Sequence, residues 1–527
     1  MVRYHYQPFE YVKPREAGTD AHAQTPVLIV GAGPIGLAAA IDLALHGIKS
    51  IVVDDNNVVS VGSRAICWAK RTLEIFDRLG IGDRMVEKGV TWKVGRLFHG
   101  ENEVYNFDLL PESGHKMPAF INLQQYYVEQ YLVERCMDFP EFIELRWKNK
   151  AAGIANTSTG AAVNVETPDG AYTIDAKYVL ACDGAKSAIR GFLGLEFEGR
   201  EFEERFLICD IEMKAEFPSE RWFWFEPQFH DGESALLHKQ PDNIYRIDLQ
   251  LGPDADPEEE RKPERVIPRI RAMVGDRKFE IDWTSIYTFH CRRLFRFVHD
   301  RVIFVGDSAH VVSPFGARGG NGGIQDVDNL CWKLAAHLQG EASAAILESY
   351  NVERIFGADE NILNSARTTA FMTPRSAFEK TLRRSVLDLA KDFPFARRMV
   401  NSGRLSQPCS YETCGFVSGA ADSLPAATAP GKAARDAPTG KGWFLNQLGG
   451  GFALVKFGEA NSAGTAGLAK CICIPTAEIT PELQQRYLGA ERGATYLFRP
   501  DQHVQARWLE ATPTGLSDAL KMAQGLK

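Results

Sequence analysis

Short apolar runs and amphipathic stretches alternate through the first third of this chain. TPVLIV is apolar and rich in β-branched residues, and GAGPIG follows it at once. LAAAIDLALHG then reads as a helix ending at Gly47, and IKSIVVDD as a second buried strand. Strand, glycine turn, helix and strand within ~30 residues make a βαβ unit. Two apolar strands joined by a helical crossover imply a parallel sheet covered on both faces. The pattern predicts helices over 65–79 and 121–135. Asp169-Gly170 marks a hairpin turn, because that dipeptide suits two-residue loops. Residues 205–290 alternate or are aromatic and β-branched, which predicts a second, strand-rich region. RVIFVGD is one more buried strand, followed by a glycine-rich loop and the helix IQDVDNLCWKLAAHL. Helical patterns run to about residue 400; a Pro-, Gly-, Ala- and Ser-rich linker then leads into a small mixed α/β module.

Composition narrows this picture. Apolar residues are 45% and charged residues 24% of 527 positions. That is enough apolar surface for a large core, which excludes disorder as the main state. The net charge of -8 argues against a nucleic-acid-binding surface. No run approaches the ~20 nearly uncharged residues of a membrane span, and the N-terminus has no apolar leader. The ten cysteines are scattered without a CxxC pair, so a cytoplasmic protein without disulfides or a metal site is expected.

Chemistry concentrates at the ends of the apolar strands. In Gly31-x-Gly33-Pro34-x-Gly36, Gly31 permits the tight turn. Gly33 admits a pyrophosphate, and Gly36 lets helix and strand pack closely. The helix N-terminus offers free N–H groups to phosphate oxygens. Asp54 ends the second strand, where a carboxylate binds ribose hydroxyls; Asp55 is the alternative. This motif alone leaves NAD and FAD open. The later strand ends at Gly306-Asp307, and the following loop carries Gly316, Gly319, Gly320, Gly322 and Gly323. So many glycines imply close approach of backbone to a flat ligand or another segment.

Three motifs in order (GAGPIG with Asp54, CDGAKSAIR with Asp183-Gly184, and GDSAHVVSPFGARGGNGGIQD with Asp307) resemble the class A flavoprotein monooxygenases of the p-hydroxybenzoate hydroxylase fold. The resemblance implies FAD as cofactor, NADH or NADPH as co-substrate without its own Rossmann domain, and O2. It implies that Arg64 and Gln125 contact FAD, that Asn321 meets the flavin pyrimidine edge, and that the Pro314 carbonyl meets the substrate hydroxyl. The implied fold is α/β: an FAD-binding Rossmann-like domain of the GR2 type (26–90, 119–200 and 290–400) after an N-terminal arm (1–25). A β-sheet substrate domain is inserted (91–118 and 201–289). The tail (401–527) is similar to the thioredoxin-like domain of the phenol hydroxylase and 3-(3-hydroxyphenyl)propionate hydroxylase branch; without CxxC, no thiol–disulfide chemistry is expected there.

What the resemblance implies for the reaction is hydroxylation of a phenolic ring, ortho to an existing hydroxyl, through a flavin C4a-hydroperoxide. Alternatives are a denitrating hydroxylase or a non-hydroxylating flavin oxidoreductase. Family habit adds a homodimer. His238 and Tyr245 are titratable groups on predicted strands of the substrate sheet, and either is a candidate partner for the phenol. Arg246 and Asp248, of opposite parity to Tyr245, read as a cross-strand pair. Trp222/Trp224 or Phe223/Phe225 are candidates to wall the pocket. Gly322, where relatives carry a side chain, is expected to loosen the ring's surroundings or admit a bulkier substrate.

Overall fold

Val53, Val30, Ala181 and Phe304 lie side by side as successive partners in one parallel sheet. This is a computed structural model that describes residues 4–230, 233–252, 255–313, 316–374, 376–400, 407–419, 423–461 and 470–526. The sheet places β1 (His22–Val30) at its centre, flanked by β2 (Ser50–Asp54) and the strand Gly170–Ala181. Ile143–Trp147 continues it on one side and Val302–Phe304 on the other. The helices α1 (Pro34–Leu45) and Gly319–Leu338 pack on it and share one apolar core with its strands. Because the central strands run parallel and in step, the chain leaves all four at one edge. Gly31, Asp54, Asp183 and Gly306-Asp307 therefore converge there, where open α/β sheets bind ligands.

The hairpin forms one residue earlier than Asp169-Gly170 predicts: Pro168 and Asp169 make its tip, and Gly170, with φ +116°, pairs with Thr167. Two helix starts differ from the sequence reading. Cys67–Ala69 is a strand and the helix begins at Lys70; Phe120–Asn122 is a strand and the next helix begins at Gln125. These two strands pair with each other, so tertiary pairing overrides a helical pattern at both sites.

The second sheet has eight strands in a row: His310–Val311, Phe279–Arg293, Glu198–Met213, Ile244–Leu251, Ala235–Lys239, Arg221–Phe225, Val94–His99 and Asn102–Asp108. One face packs on the helix Pro263–Val274 through Leu207, Cys209, Leu237, Tyr245 and Ile247. The other face looks toward the first sheet.

The C-terminal module is a four-stranded sheet centred on Ala453–Gly458 and Gly493–Phe498. Its outer strands are Lys470–Ile474 and Val504–Trp508, and it has its own apolar core. All ten cysteines are free. Among the described residues no helix is long and apolar enough to cross a membrane, and no cluster of His, Cys, Asp and Glu is arranged for a metal ion.

Candidate active site

One cavity of about 780 Å³ runs from the strand ends of the first sheet to the inner face of the second. Its size falls within the ~300–1,000 Å³ usual for small-molecule and cofactor sites.

The glycines at its mouth differ in what surrounds them. Gly31 has φ +106°, and a Cβ there would lie 2.5 Å from the Cys182 carbonyl oxygen. At Gly36 a Cβ would lie 1.9 Å from the Gly31 carbonyl oxygen. At Gly33 a Cβ would meet nothing within 4 Å, so backbone faces open cavity. Pro34 opens α1 at a position where a missing N–H costs nothing. The free N–H groups of that first turn face the same space.

Three carboxylates surround it. Asp54 accepts hydrogen bonds from the backbone N–H of Ala32 (2.7 Å) and Asn56 (2.9 Å). Burial pushes its carboxyl up, and these two donors oppose the rise. Asp183 accepts from Ile189 N–H at 3.1 Å through one oxygen, while its buried Oδ1 has no partner. Gly184 follows with φ +77°. Asp307, in the turn Gly306–Ser308, has an accessible carboxylate enclosed by the cavity walls. Enclosure raises its carboxyl, against the pull of His310 and Arg64. An orphaned carboxylate oxygen and an open glycine cradle together fit a hydroxyl-bearing, phosphate-bearing ligand.

Arg64, Gln125, Gly320 and Asn321 also line this space. Arg64 extends along the wall exposed, making no side-chain hydrogen bond with a described residue. Gln125 is held by protein: its Oε1 accepts from Ala65 N–H at 3.0 Å, and its Nε2 donates to Glu129 at 2.7 Å. Gly320 sits in the first turn of Gly319–Leu338, where a Cβ would lie 3.4 Å from the Trp68 ring. The Asn321 amide is spent elsewhere than the expectation placed it. Its oxygen accepts from Ala69 N–H at 2.9 Å, and its nitrogen donates to the carbonyls of Cys67 (2.9 Å) and Ala317 (2.6 Å). The side chain braces the cavity wall and leaves backbone N–H groups to face a ligand. Pro314 lies outside the described residues.

At the inner end the wall is the second sheet. Phe206, Ile208 and Leu236 supply apolar surface; His238, Arg246, Asp248, Arg221 and Tyr287 supply polar groups. Arg221, His238, Arg246 and Asp210 are direct cross-strand partners in one row. Arg246 grips Asp210 with two hydrogen bonds of 2.8 Å and also donates to the Ser63 and Arg64 carbonyls. It thus ties the second sheet to the segment that carries Arg64. His238 is 3% exposed. Burial, with Arg221 and Arg246 beside it, holds its imidazole well below the usual range, so the ring is neutral. Cys67 Sγ lies 3.9 Å from its Nδ1.

Several expectations change here. Tyr245 does not face the cavity. Lys239 is its cross-strand partner, whereas His238 pairs with Arg246, so His238 and Tyr245 point to opposite faces. The Tyr245 hydroxyl donates to the Ala215 carbonyl at 2.7 Å and its ring packs against Phe217. Arg246 and Asp248 are no pair, because Arg246 is taken by Asp210. Neither aromatic pair of 222–225 walls the cavity; Trp224 belongs to the core under the helix Pro263–Val274, and Phe223 and Phe225 to the core against the helix Ala377–Asp392. Gly322 also faces away: a Cβ there would approach Asn361 and His310, not the cavity.

The sequence reading gave no role to Glu129, Asp210, Arg221 or Asp326. Asp326 lies behind the cavity, accepting from Gly306 N–H (3.0 Å), His310 Nε2 (2.7 Å) and Arg354 (2.6 Å). Burial pushes its carboxyl up, but His310 and Arg354 win and hold it below the usual range. Its place in IQDVDN, about two turns into a buried helix, was the available signal.

Every residue that frames the cofactor end lies within residues 24–364, which match the model of the FAD binding domain family. The chain belongs to this family. FAD is accordingly the cofactor that the glycine cradle and the carboxylates receive. This FAD-binding protein is 27% identical over 375 residues to the 3-(3-hydroxy-phenyl)propionate/3-hydroxycinnamic acid hydroxylase of Mycolicibacterium smegmatis. The match covers 71% of the chain and 66% of that relative, just under two thirds of its length. It is 28% identical over 407 residues to 3-(3-hydroxy-phenyl)propionate/3-hydroxycinnamic acid hydroxylase 2 of Burkholderia vietnamiensis, covering 77% and 73%. Its fold is that of flavin-dependent monooxygenases. The solved structure of PieE, with FAD and substrate, superposes with a TM-score of 0.77 at 22% identity, over 95% of this chain and 99% of that one. Aklavinone-11 hydroxylase, with FAD and aklavinone, gives 0.78 at 21%, over 96% and 100%.

Proposed function

We propose that this protein is a monooxygenase that hydroxylates a phenolic ring, ortho to an existing hydroxyl, using O2 and NADH or NADPH. The observation that carries this reading is the continuity of the cavity. It leads without a break from the glycine cradle to a chamber of apolar walls and a few polar groups under the substrate sheet. Names of relatives at 27–28% identity agree with it.

Bound FAD supplies the chemistry that a side chain lacks: it takes electrons from the nicotinamide and activates O2. The chain's own residues do the rest. Gly31, Gly33 and Pro34 cradle the pyrophosphate, Gly36 lets the helix pack behind them, and Asp54 takes ribose hydroxyls. Asp183, Gly184, Gly306 and Asp307 offer acceptors and close backbone along the remaining length. Arg64 and Gln125 border the ring end, and the first helical turn at Gly320 and Asn321 offers backbone N–H groups to developing negative charge. Phe206, Ile208 and Leu236 exclude water, which protects a reactive oxygen species from loss as H2O2. His238, neutral, offers one donor and one acceptor to the substrate.

The reading extends to a cytoplasmic homodimer with a thioredoxin-like tail. NADH and NADPH oxidation by the FAD-loaded protein in air, with and without a panel of phenols, phenolic acids and nitrophenols, tests it. Phenol-stimulated oxidation with a product one oxygen heavier is expected. Exchange of nitro for hydroxyl would identify the denitrating variant. Stimulation that yields only H2O2, or none with any aromatic, would sink the reading.

A further inference from the structure

Arg221 and Asp248 face the substrate chamber from either side of the strand Ala235–Lys239. The Arg221 side chain makes no hydrogen bond or ion pair with a described residue. Asp248 Oδ1 is buried and has no partner. Both are anomalies in a wall where Arg246 and Asp210 satisfy one another. A buried polar atom without a partner costs about 1–3 kcal/mol, and more when charged, so Asp248 Oδ1, with the half-buried Arg221 open to the same cavity, calls for a ligand.

The register shows how such a ligand would lie. Arg221 and His238 are direct cross-strand partners, and Asp248 stands opposite Leu236, two residues along from His238. The other neighbour of Asp248 across the sheet is Ile208. The carboxylate therefore sits in an apolar patch beside a cationic one. A ring lying over Leu236 and His238 presents its hydroxyl to both.

We propose that Asp248 is the base that takes the substrate's hydroxyl proton and that Arg221 holds the resulting oxyanion. This rests on the aromatic hydroxylase reading. The O–H bond breaks with its electron pair left on oxygen, and the proton goes to Asp248 Oδ1. The phenolate that forms has Arg221 as counter-charge, and its ring carbon is the richer in electrons for it. The proton returns to oxygen when product leaves.

The electrostatics suit the task. Burial raises the Asp248 carboxyl to about 6, with Arg246 and Arg221 pulling it down and Asp210 pushing it up. Burial, with Arg221 and Arg246, keeps His238 neutral, and burial raises Cys67 and Tyr287 so that both stay protonated; Arg64, Asp307, Arg318 and His290 line the same cavity. A general base is most effective with a pKa near the working pH.

The test compares wild type and Asp248→Asn, both FAD-loaded, on an unactivated phenol and on 4-nitrophenol at a pH where the latter is already ionised. The proposal expects roughly a 100-fold loss of kcat/KM on the unactivated phenol, little loss on the ionised one, and disappearance of the acid limb from the pH profile. A uniform loss on both, or a retained limb, overturns it. Arg221→Gln leaves Asp248 in place and should shift the limb to higher pH; an unmoved limb also overturns it. The two readings separate cleanly. Absence of any oxygenated product from wild type fails the hydroxylase reading and this one with it, whereas hydroxylation that Asp248→Asn performs equally well fails this one alone.

Discussion

Gly33 and Gly36 stand three residues apart in one motif and answer to different constraints. Gly36 is a packing residue, since a Cβ would strike the Gly31 carbonyl at 1.9 Å. Gly33 faces open cavity, since nothing lies within 4 Å of where its Cβ would be. Gly36→Ala should therefore lower the stability of the apoprotein by about 3 kcal/mol. Gly33→Ala should leave apoprotein melting unchanged and weaken FAD retention about tenfold, 1.4 kcal/mol. Melting curves and bound-FAD absorbance check both. A parallel contrast holds in the second sheet. Tyr245→Phe should cost about 1 kcal/mol of stability, through its bond to Ala215, and leave kcat/KM alone. His238→Gln should do the reverse, changing kcat/KM up to about tenfold with little effect on melting. The glycine roles were legible in the sequence because the motif carries its own geometry. The choice between His238 and Tyr245 was not, because parity within one strand says nothing about the register between two.

The helix Gly319–Leu338 does two tasks within its first two turns. Its first residues line the cavity, while Asp326 reaches back to the Gly306 N–H and so fixes the turn that presents Asp307. Asp326 also receives His310 and Arg354, and Arg354 continues to the Tyr411 hydroxyl at 2.9 Å. Removing one partner from such a buried pair costs about 3–5 kcal/mol. Asp326→Asn should lose stability on that scale and bind FAD more weakly though it touches no ligand; retention of both in calorimetry would contradict this. The helix itself was plain from its apolar spacing. Asp326 was not, since a buried acid and an exposed one look alike until their partners are known. The same limit explains the misread helix starts, where the partner strand Phe120–Asn122 lies over fifty residues from Cys67–Ala69.

Over the whole molecule, a parallel sheet and a second, strand-rich region were legible as apolar and alternating runs, whereas the order of strands within each sheet was not, because it is set by pairing between distant segments. The attachment of the tail was hidden. Arg499 binds Glu353 (2.6 Å) and also Asp501, and Lys333 joins Glu353 at 2.7 Å, all buried. Arg71 reaches across to the Asp501 carbonyl at 2.7 Å. Burial raises Glu353, but Arg499 and Lys333 prevail and bring it to about 2; burial drives Lys333 down to about 8 despite the same carboxylate. A carboxyl depressed on folding adds stability above its unfolded pKa, and that stability fades as pH falls toward the folded one. Melting temperature should accordingly drop between about pH 4.5 and 2, and Glu353→Gln, already destabilised by about 3–5 kcal/mol at neutral pH, should show a shallower acid slope. An unchanged slope would remove Glu353 as its source. The cluster also bears on how such chains can change over generations. Arg499 and Asp501 belong to the tail, while Glu353, Lys333 and Arg71 belong to the body, so each half supplies hydrogen-bond partners that buried groups of the other need. A tail without an arginine at this place would leave Glu353 to Lys333 and Asn329 alone, so any exchange of the module has to carry Arg499 with it.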